Sequence, residues 1–221
     1  MSRWEIRIAT VIAAMALGLI PPATTAAEQP GLAIAALETL PVKGRAPKTG
    51  YTRDLFGQAW ADVDRNGCDT RNDILKRDLT SIIYKAKTRN CVVLSGTLLD
   101  RYSGESINFL RGNITSMEVQ IDHVVALSNA WQTGAFKLTA EQRKALANDP
   151  MNLFAVKGRL NSQKGDGDAA TWLPPLKSFR CVYIAQQIAV KAKYSLWVVP
   201  PEKAAMLSIL AKCPTQKLPV S

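Results

Sequence analysis

The chain of 221 residues holds a single histidine, His123, and no Cys-x-x-Cys pair, so the usual zinc ligand sets cannot be completed. It has no Gly-x-Ser-x-Gly segment, which removes the strand-to-helix elbow on which an α/β-hydrolase serine sits. A Ser-His-Asp arrangement is further disfavoured because the only acid beside the histidine, Asp122, is its immediate neighbour and poorly placed to grip the ring. Beyond residue 20 no apolar run approaches the roughly 20 residues of a bilayer-spanning helix, so no stable membrane insertion is expected. Repeats and low-complexity blocks are also missing, which excludes solenoids and arrays.

What is present begins with a secretory signature. Two arginines in MSRWEIR, the apolar run IATVIAAMALGLI and the small residues of PPATTAA read as a signal peptide over residues 1–27. The apolar run is too short to span a membrane comfortably, and no cysteine follows it to accept a lipid. The expected destination is outside the cell or in its envelope. Residues 28–221 suffice for one domain of ordinary size with a core of its own.

The full chain carries 28 Lys and Arg against 18 Asp and Glu, a net +10; losing Arg3, Arg7 and Glu5 with the signal leaves 26 against 17, or +9. So basic a surface attracts polyanions, nucleic acid or anionic envelope polymers, without saying which. Solubility alone is the competing account of the charge. Four cysteines, Cys68, Cys91, Cys181 and Cys213, are an even count in an exported chain and are expected as two disulfides. Of the three pairings possible, Cys68 with Cys91 and Cys181 with Cys213 each bracket one local segment that a bridge would staple.

Residues 28–50 mix Pro, Gly, Ala and Lys and read as a flexible leader, with GLAIAALETL a short helix inside it. From Tyr51 the pattern is denser. TRDLFGQAW reads as one helix and NDILKRDLTSIIYKA as a second, while CVVLSGTLLD and ESINFL form an extended, hairpin-like pair turning at Arg101 to Gly104. EVQIDHVVAL alternates as a strand. SNAWQTGAF and TAEQRKALA look helical, with Thr139 and Gln142 placed for a capping box. NDPMNLFAVKG reads as turn and strand, and GRLNSQKGD as the opening of a helix. Cys181, Ile184, Ala185, Ile188, Ala189 and Ala192 recur at helical spacing and mark a core face. EKAAMLSILAKC closes with a helix whose Cys213 can reach back, and residues 214–221 read as a tail.

A lone histidine on an apolar strand is ordinarily a packed residue with one satisfied nitrogen. The chain order around His123 points elsewhere: a strand ending in Asp122-His123, a long excursion, a second strand opening with Asn152, then a helix carrying Asn161 and Lys164. This layout resembles the HNH, or His-Me finger, endonucleases with their ββα-metal core. The run NDPMNLFAVKGRLNSQKGD is similar to one branch in particular, the domain at the C-terminus of GmrSD-type modification-dependent restriction enzymes, also found in small exported bacterial proteins. The likeness extends upstream through YTRDLFGQAWADVDRNGCDTRNDIL and downstream through Trp172-Leu173-Pro174-Pro175. It implies an α+β fold: a ββα-metal core at about residues 117–166, inside a domain of residues 51–213, wrapped by helices and held by two disulfides.

The resemblance also implies roles. His123 would be the general base that takes a proton from water, a role that typically contributes about 10²- to 10⁴-fold. Asp122 and the side-chain oxygen of Asn161 would hold a divalent cation, Mg²⁺ first, with Mn²⁺ or Ca²⁺ as substitutes. Asn161 stands where other members carry histidine, which shifts the preference towards hard ions. Asn152 would tie down the excursion loop and so orient His123; its bland alternative is a turn residue before a strand. Lys164, one helical turn from Asn161, would contact phosphate or else be merely solvated. The expected partner is nucleic acid, DNA ahead of RNA, and the rival function is a basic binding protein that retards nucleic acid and never cuts it.

One further pattern stands apart. In ADVDRNGCDTRND, Asp62, Asp64, Asn66, Gly67 and Asp73 fall on positions 1, 3, 5, 6 and 12 of an EF-hand calcium loop, with Asp where the pattern has Glu at the last. The competing account is a tight Asp/Asn/Gly turn with Arg71 and Arg77 facing nucleic acid or internal carboxylates.

Overall fold

The computed structural model describes Met1, residues 31–113 and residues 115–220. The expected signal peptide and residues 28–30 lie outside the described residues, Met1 apart. In chain order the elements are α1 (Ala33–Thr39), α2 (Thr70–Asp78), β1 (Leu79–Tyr84), β2 (Val93–Leu99), β3 (Ser106–Leu110), β4 (Val119–His123), α3 (Leu127–Gln132), α4 (Ala140–Asn148), β5 (Leu153–Lys157), α5 (Gly158–Lys164), α6 (Arg180–Lys193) and α7 (Pro200–Leu210). Helices and sheets are mixed along the chain, an α+β architecture. No helix among the described residues is long and apolar enough to cross a membrane.

Two antiparallel sheets form, β1-β2-β3 and β4-β5. Each face of β4-β5 meets its own cluster, and the strand period of two decides which residue goes where. Val119, Ile121, Leu153 and Ala155 join Ile74, Leu75, Leu98 and Phe109 of α2 and the larger sheet. Phe154 and Val156 face the other way, into a cluster with Tyr102, Tyr183, Ile184 and Ile188. Each such side chain taken fully out of water contributes about 1.5–3 kcal/mol. The outer edge of β5 finds carboxylates where a third strand would be: Ala155 N–H donates to Asp78 at 2.9 Å and Lys157 N–H to Asp100 at 3.0 Å. This satisfies edge donors and blocks further strand addition.

Side-chain caps mark the starts of two helices. The Asp69 side chain caps α2 by accepting from Asn72 N–H. The Thr139–Gln142 capping box is present at the start of α4. The disulfides are Cys68–Cys91 and Cys181–Cys213, the second tying α6 to the residues after α7.

Three expectations need correction. TRDLFGQAW is not a helix: only Arg53–Phe56 forms a 3-10 turn, ended by Gly57 at φ 75. A Cβ at Gly57 would meet the Lys144 side chain at 3.2 Å, so the chain turns where α4 passes closest. The helix expected over NDILKRDLTSIIYKA stops at Asp78, because the following LTSIIY pairs with β2 in an irregular ladder. Its β-branched residues suit a strand once a partner is available. Residues 31–50 are docked, not loose. Ala33, Leu37 and Leu40 are buried in the α6–α7 cluster, Arg45 pairs with Asp168, and Trp197 Nε1–H donates to Gly44 O at 3.1 Å. Residues of the expected tail meet the start of this segment, with Ala33 N–H donating to Gln216 O and Leu218 N–H to Gly31 O.

Candidate active site

The site is built where β4 ends and α5 crosses it. Gly158 begins α5 against the carbonyl of Met117; a Cβ there would lie 1.9 Å from that oxygen, so only glycine permits the crossing. From that start, helix residues one turn apart meet strand residues two apart. Asn161 Nδ2 donates to Gln120 Oε1 at 2.9 Å, and Lys164 Nζ donates to Asp122 Oδ1 at 2.8 Å. The match of the two periods places Asn161, Lys164, Gln120 and Asp122 on one side of β4.

His123, one residue on, leaves from the opposite side. Its ring stacks on Trp60 with planes 16° apart and centroids 6.0 Å apart, and its Nε2 lies 2.9 Å from Ala147 O. A carbonyl only accepts, so Nε2 carries the proton and Nδ1 keeps its lone pair. Burial pushes the imidazole down to about 3; the Ala147 hydrogen bond opposes this, and the Arg53 and Lys164 charges reinforce it. The ring is therefore neutral at neutral pH.

Although they leave from opposite sides, Asp122, His123 and Asn161 line one cleft of about 480 Å³ over the end of β4, with Lys48, Arg53 and Ser128 on its walls. Asn152, fully buried, accepts from Val125 N–H at 2.8 Å through its Oδ1 and donates to the carbonyls of Val125 and Leu146. It thus joins the two ends of the excursion between β4 and β5 and holds the end of α4, which carries Ala147, through Leu146 O.

Lys164 departs from both sequence readings. It is 3% exposed and gives its second hydrogen bond to His123 O at 2.7 Å, so it faces inward and is neither solvated nor open to phosphate. Its partner Asp122 also accepts from the Tyr102 hydroxyl. Burial, then the Asp122 charge, hold that phenol well above its ordinary range, so it remains a donor. Lys48, Arg53, Trp60 and Tyr102 were not singled out from sequence. Arg53 and Trp60 lie in the upstream run that carries the family likeness, whereas nothing local marks Tyr102, whose partner is 20 residues away.

As a cation site, Asp122 and Asn161 offer hard oxygen only. Asn161 spends its nitrogen on Gln120, and among the described residues no donor reaches its Oδ1. Asp122 keeps lone pairs beyond its two hydrogen bonds. The donor set fits a hard divalent ion, with Lys164 competing for the carboxylate.

In the calcium-type loop, Asn66 is the hub. Its N–H donates to Asp62 and Asp64, its Nδ2 to Asp64 and Asp73, and Gly67 N–H donates to Asp62. Burial raises the Asp73 carboxyl, the Asn66 hydrogen bond opposes this, and neighbouring acids add to it. Among the described residues no group of three His, Cys, Asp or Glu is arranged to hold a metal ion.

With this geometry in view, the comparisons define the class first: a nuclease-related α+β domain. The family model for the C-terminal domain of GmrSD restriction endonucleases matches residues 69–209, and the chain belongs to that family. It is also similar to an uncharacterized secreted protein of Arthroderma benhamiae, 38% identical over 179 residues that cover 80% of this chain and 82% of the relative. No solved structure matches.

Proposed function

We propose that the protein is an exported, metal-dependent endonuclease of the HNH type, hydrolysing phosphodiester bonds of DNA, with residues 51–213 as the catalytic domain and a ββα-metal core at about 117–166. The observation that carries this reading is the placement of His123: its Nε2 lies 2.9 Å from Ala147 O, which fixes the ring beside a cleft it shares with Asp122 and Asn161. Water is a poor nucleophile at neutral pH, and the Nδ1 lone pair is the group able to take its proton. Trp60 stacks on the imidazole and Ala147 holds it, so the ring is oriented before substrate arrives. Arg53 on the cleft wall supplies positive charge for a phosphate, while the Lys48 ammonium beside it is paired with Asp166 at 3.1 Å.

Asp122 and the Oδ1 of Asn161 would hold Mg²⁺, or Mn²⁺ or Ca²⁺ in its place. When bound, such an ion offsets the negative charge developing on the leaving oxygen. Asn152 keeps the excursion, and with it the Ala147 carbonyl, in register with His123. Lys164 and Tyr102 hold Asp122 in place without touching substrate. Export is supported by the signal-like N-terminus and the secreted relative.

The test is plasmid nicking by the oxidised protein with Mg²⁺ or Mn²⁺. Nicking should vanish with EDTA and in His123→Ala, and fall sharply in Asn161→Ala without loss of fold. A protein that retards the plasmid but never nicks it under any of these metals belongs instead to the basic binding class.

A further inference from the structure

On the far side of His123 from Asp122 and Asn161 lies a second, smaller hollow of about 240 Å³. Trp60, His123, Phe56 and Ala147 form its walls, with Asp54 and Gln58 beside them; Arg53 and His123 line both this hollow and the polar cleft. At about 30 Å³ per water, the space holds some eight waters, the scale of a single planar ring system. Its lining is mostly apolar and aromatic, and the charges of Arg53 and Asp54 offset one another, so it offers a phosphate little net attraction. A neutral heteroaromatic ring suits the walls and finds polar partners in Asp54 and Gln58.

The hollow is held open by design of the backbone around it. Trp60 sits at φ 57, a left-handed conformation that costs a non-glycine residue energy and persists only where surroundings enforce it. The enforcing residue is Asn148, fully buried, whose Oδ1 accepts from Ala61 N–H at 3.0 Å and whose Nδ2 donates to Gln58 O. Asn148 follows Ala147, the residue that orients His123, so one helix end fixes both the imidazole and the indole.

We propose that this hollow receives one nucleobase of the substrate strand, adjacent to the phosphate held in the polar cleft. The inference rests on the nuclease reading and refines its substrate: a base stacked and paired inside a duplex cannot enter, so single-stranded or locally unpaired strands are preferred.

The test is binding in EDTA, where cleavage is absent, using labelled oligothymidylate, an abasic strand of equal length and phosphate count, and the matching duplex with oligoadenylate. Loss of a base–aromatic stack weakens binding about 5- to 140-fold. The abasic strand and the duplex should bind that much more weakly than oligothymidylate. Trp60→Ala should lower oligothymidylate to the abasic level, and so should Ala59→Trp, which fills the hollow while leaving Trp60 in place. Equal affinity for abasic and base-bearing strands overturns the proposal, as does unchanged discrimination in a natively folded Ala59→Trp protein. Plasmid nicking run in parallel separates the two readings. Nicking with no base discrimination leaves the nuclease and removes the subsite; base discrimination that Ala59→Trp abolishes, with no nicking, leaves the subsite and removes the nuclease.

Discussion

Replacing Lys164 by Met retains a straight chain of similar length in the same packed space and removes only the ammonium. That group makes two short contacts, to the Asp122 carboxylate Oδ1 at 2.8 Å and to the main-chain carbonyl of His123 at 2.7 Å, and both partner residues are buried. Breaking one side of a buried pair costs about 3–5 kcal/mol. The Tyr102 hydroxyl stays on the other Asp122 oxygen, and the carboxylate borders a cleft, so a loss of about 3 kcal/mol is expected. Urea unfolding of the oxidised protein in EDTA at neutral pH measures it, with Asp122→Asn and the double variant completing a cycle. Once the carboxylate is neutralised the ammonium has little to offset, so a coupling of about 2 kcal/mol is expected. A coupling below about 0.5 kcal/mol would refute the idea that Lys164 is there for Asp122. The cycle also bears on the cation: freed of its internal partner, Asp122 should let Mg²⁺ stabilise Lys164→Met more than the parent protein, by mass action.

Three other outcomes follow from the same geometry. In EDTA, His123 is neutral in both states above its ordinary value of 6.5, and between 6.5 and about 3 only the unfolded chain takes up the proton; stability is therefore lost as pH falls through that window. By about pH 4.5 the loss reaches about 3 kcal/mol at 1.36 kcal/mol per unit, seen as the excess over His123→Asn in acid urea melts; parallel melts contradict it. Gly158→Ala places a methyl 1.9 Å from Met117 O, and a cost of about 3 kcal/mol or more is expected, together with a fall in metal-dependent nicking as α5 carries Asn161 off β4; a variant as active and stable as the parent would mean that α5 does not set the site. Opening Cys181–Cys213, which closes a separation of 32 residues, should cost about 3–4 kcal/mol by loop entropy, read as a lowered midpoint in Cys181→Ala/Cys213→Ala.

What could be read from sequence was local or carried by the family likeness. The Thr139 capping box, the β2-β3 hairpin and the short α1 are written in spacings of a few residues and are present, as is the core face of α6 at Ile184, Ala185, Ile188 and Ala189, whereas Cys181 is half-buried and Ala192 exposed. What escaped depends on partners far along the chain. NDILKRDLTSIIYKA has a plausible helical period throughout, and only pairing with β2 shows that its second half is strand. The inward turn of Lys164 is set by Asp122, 42 residues away, and no local pattern distinguishes it from a solvated lysine. The docking of residues 31–50 likewise depends on Asp168, Trp197 and Val198, more than a hundred residues distant. Composition alone cannot separate a strap from a linker.

Gly31 to Ala33 lie in a two-stranded contact with Gln216 to Leu218, linked by the Leu32–Lys217 bridge and its flanking hydrogen bonds. Sequence joined to either extremity therefore departs from the same corner of the domain. Such a unit can be spliced into a host loop, or have its extremities joined by a short linker and be reopened elsewhere, without stretching the fold.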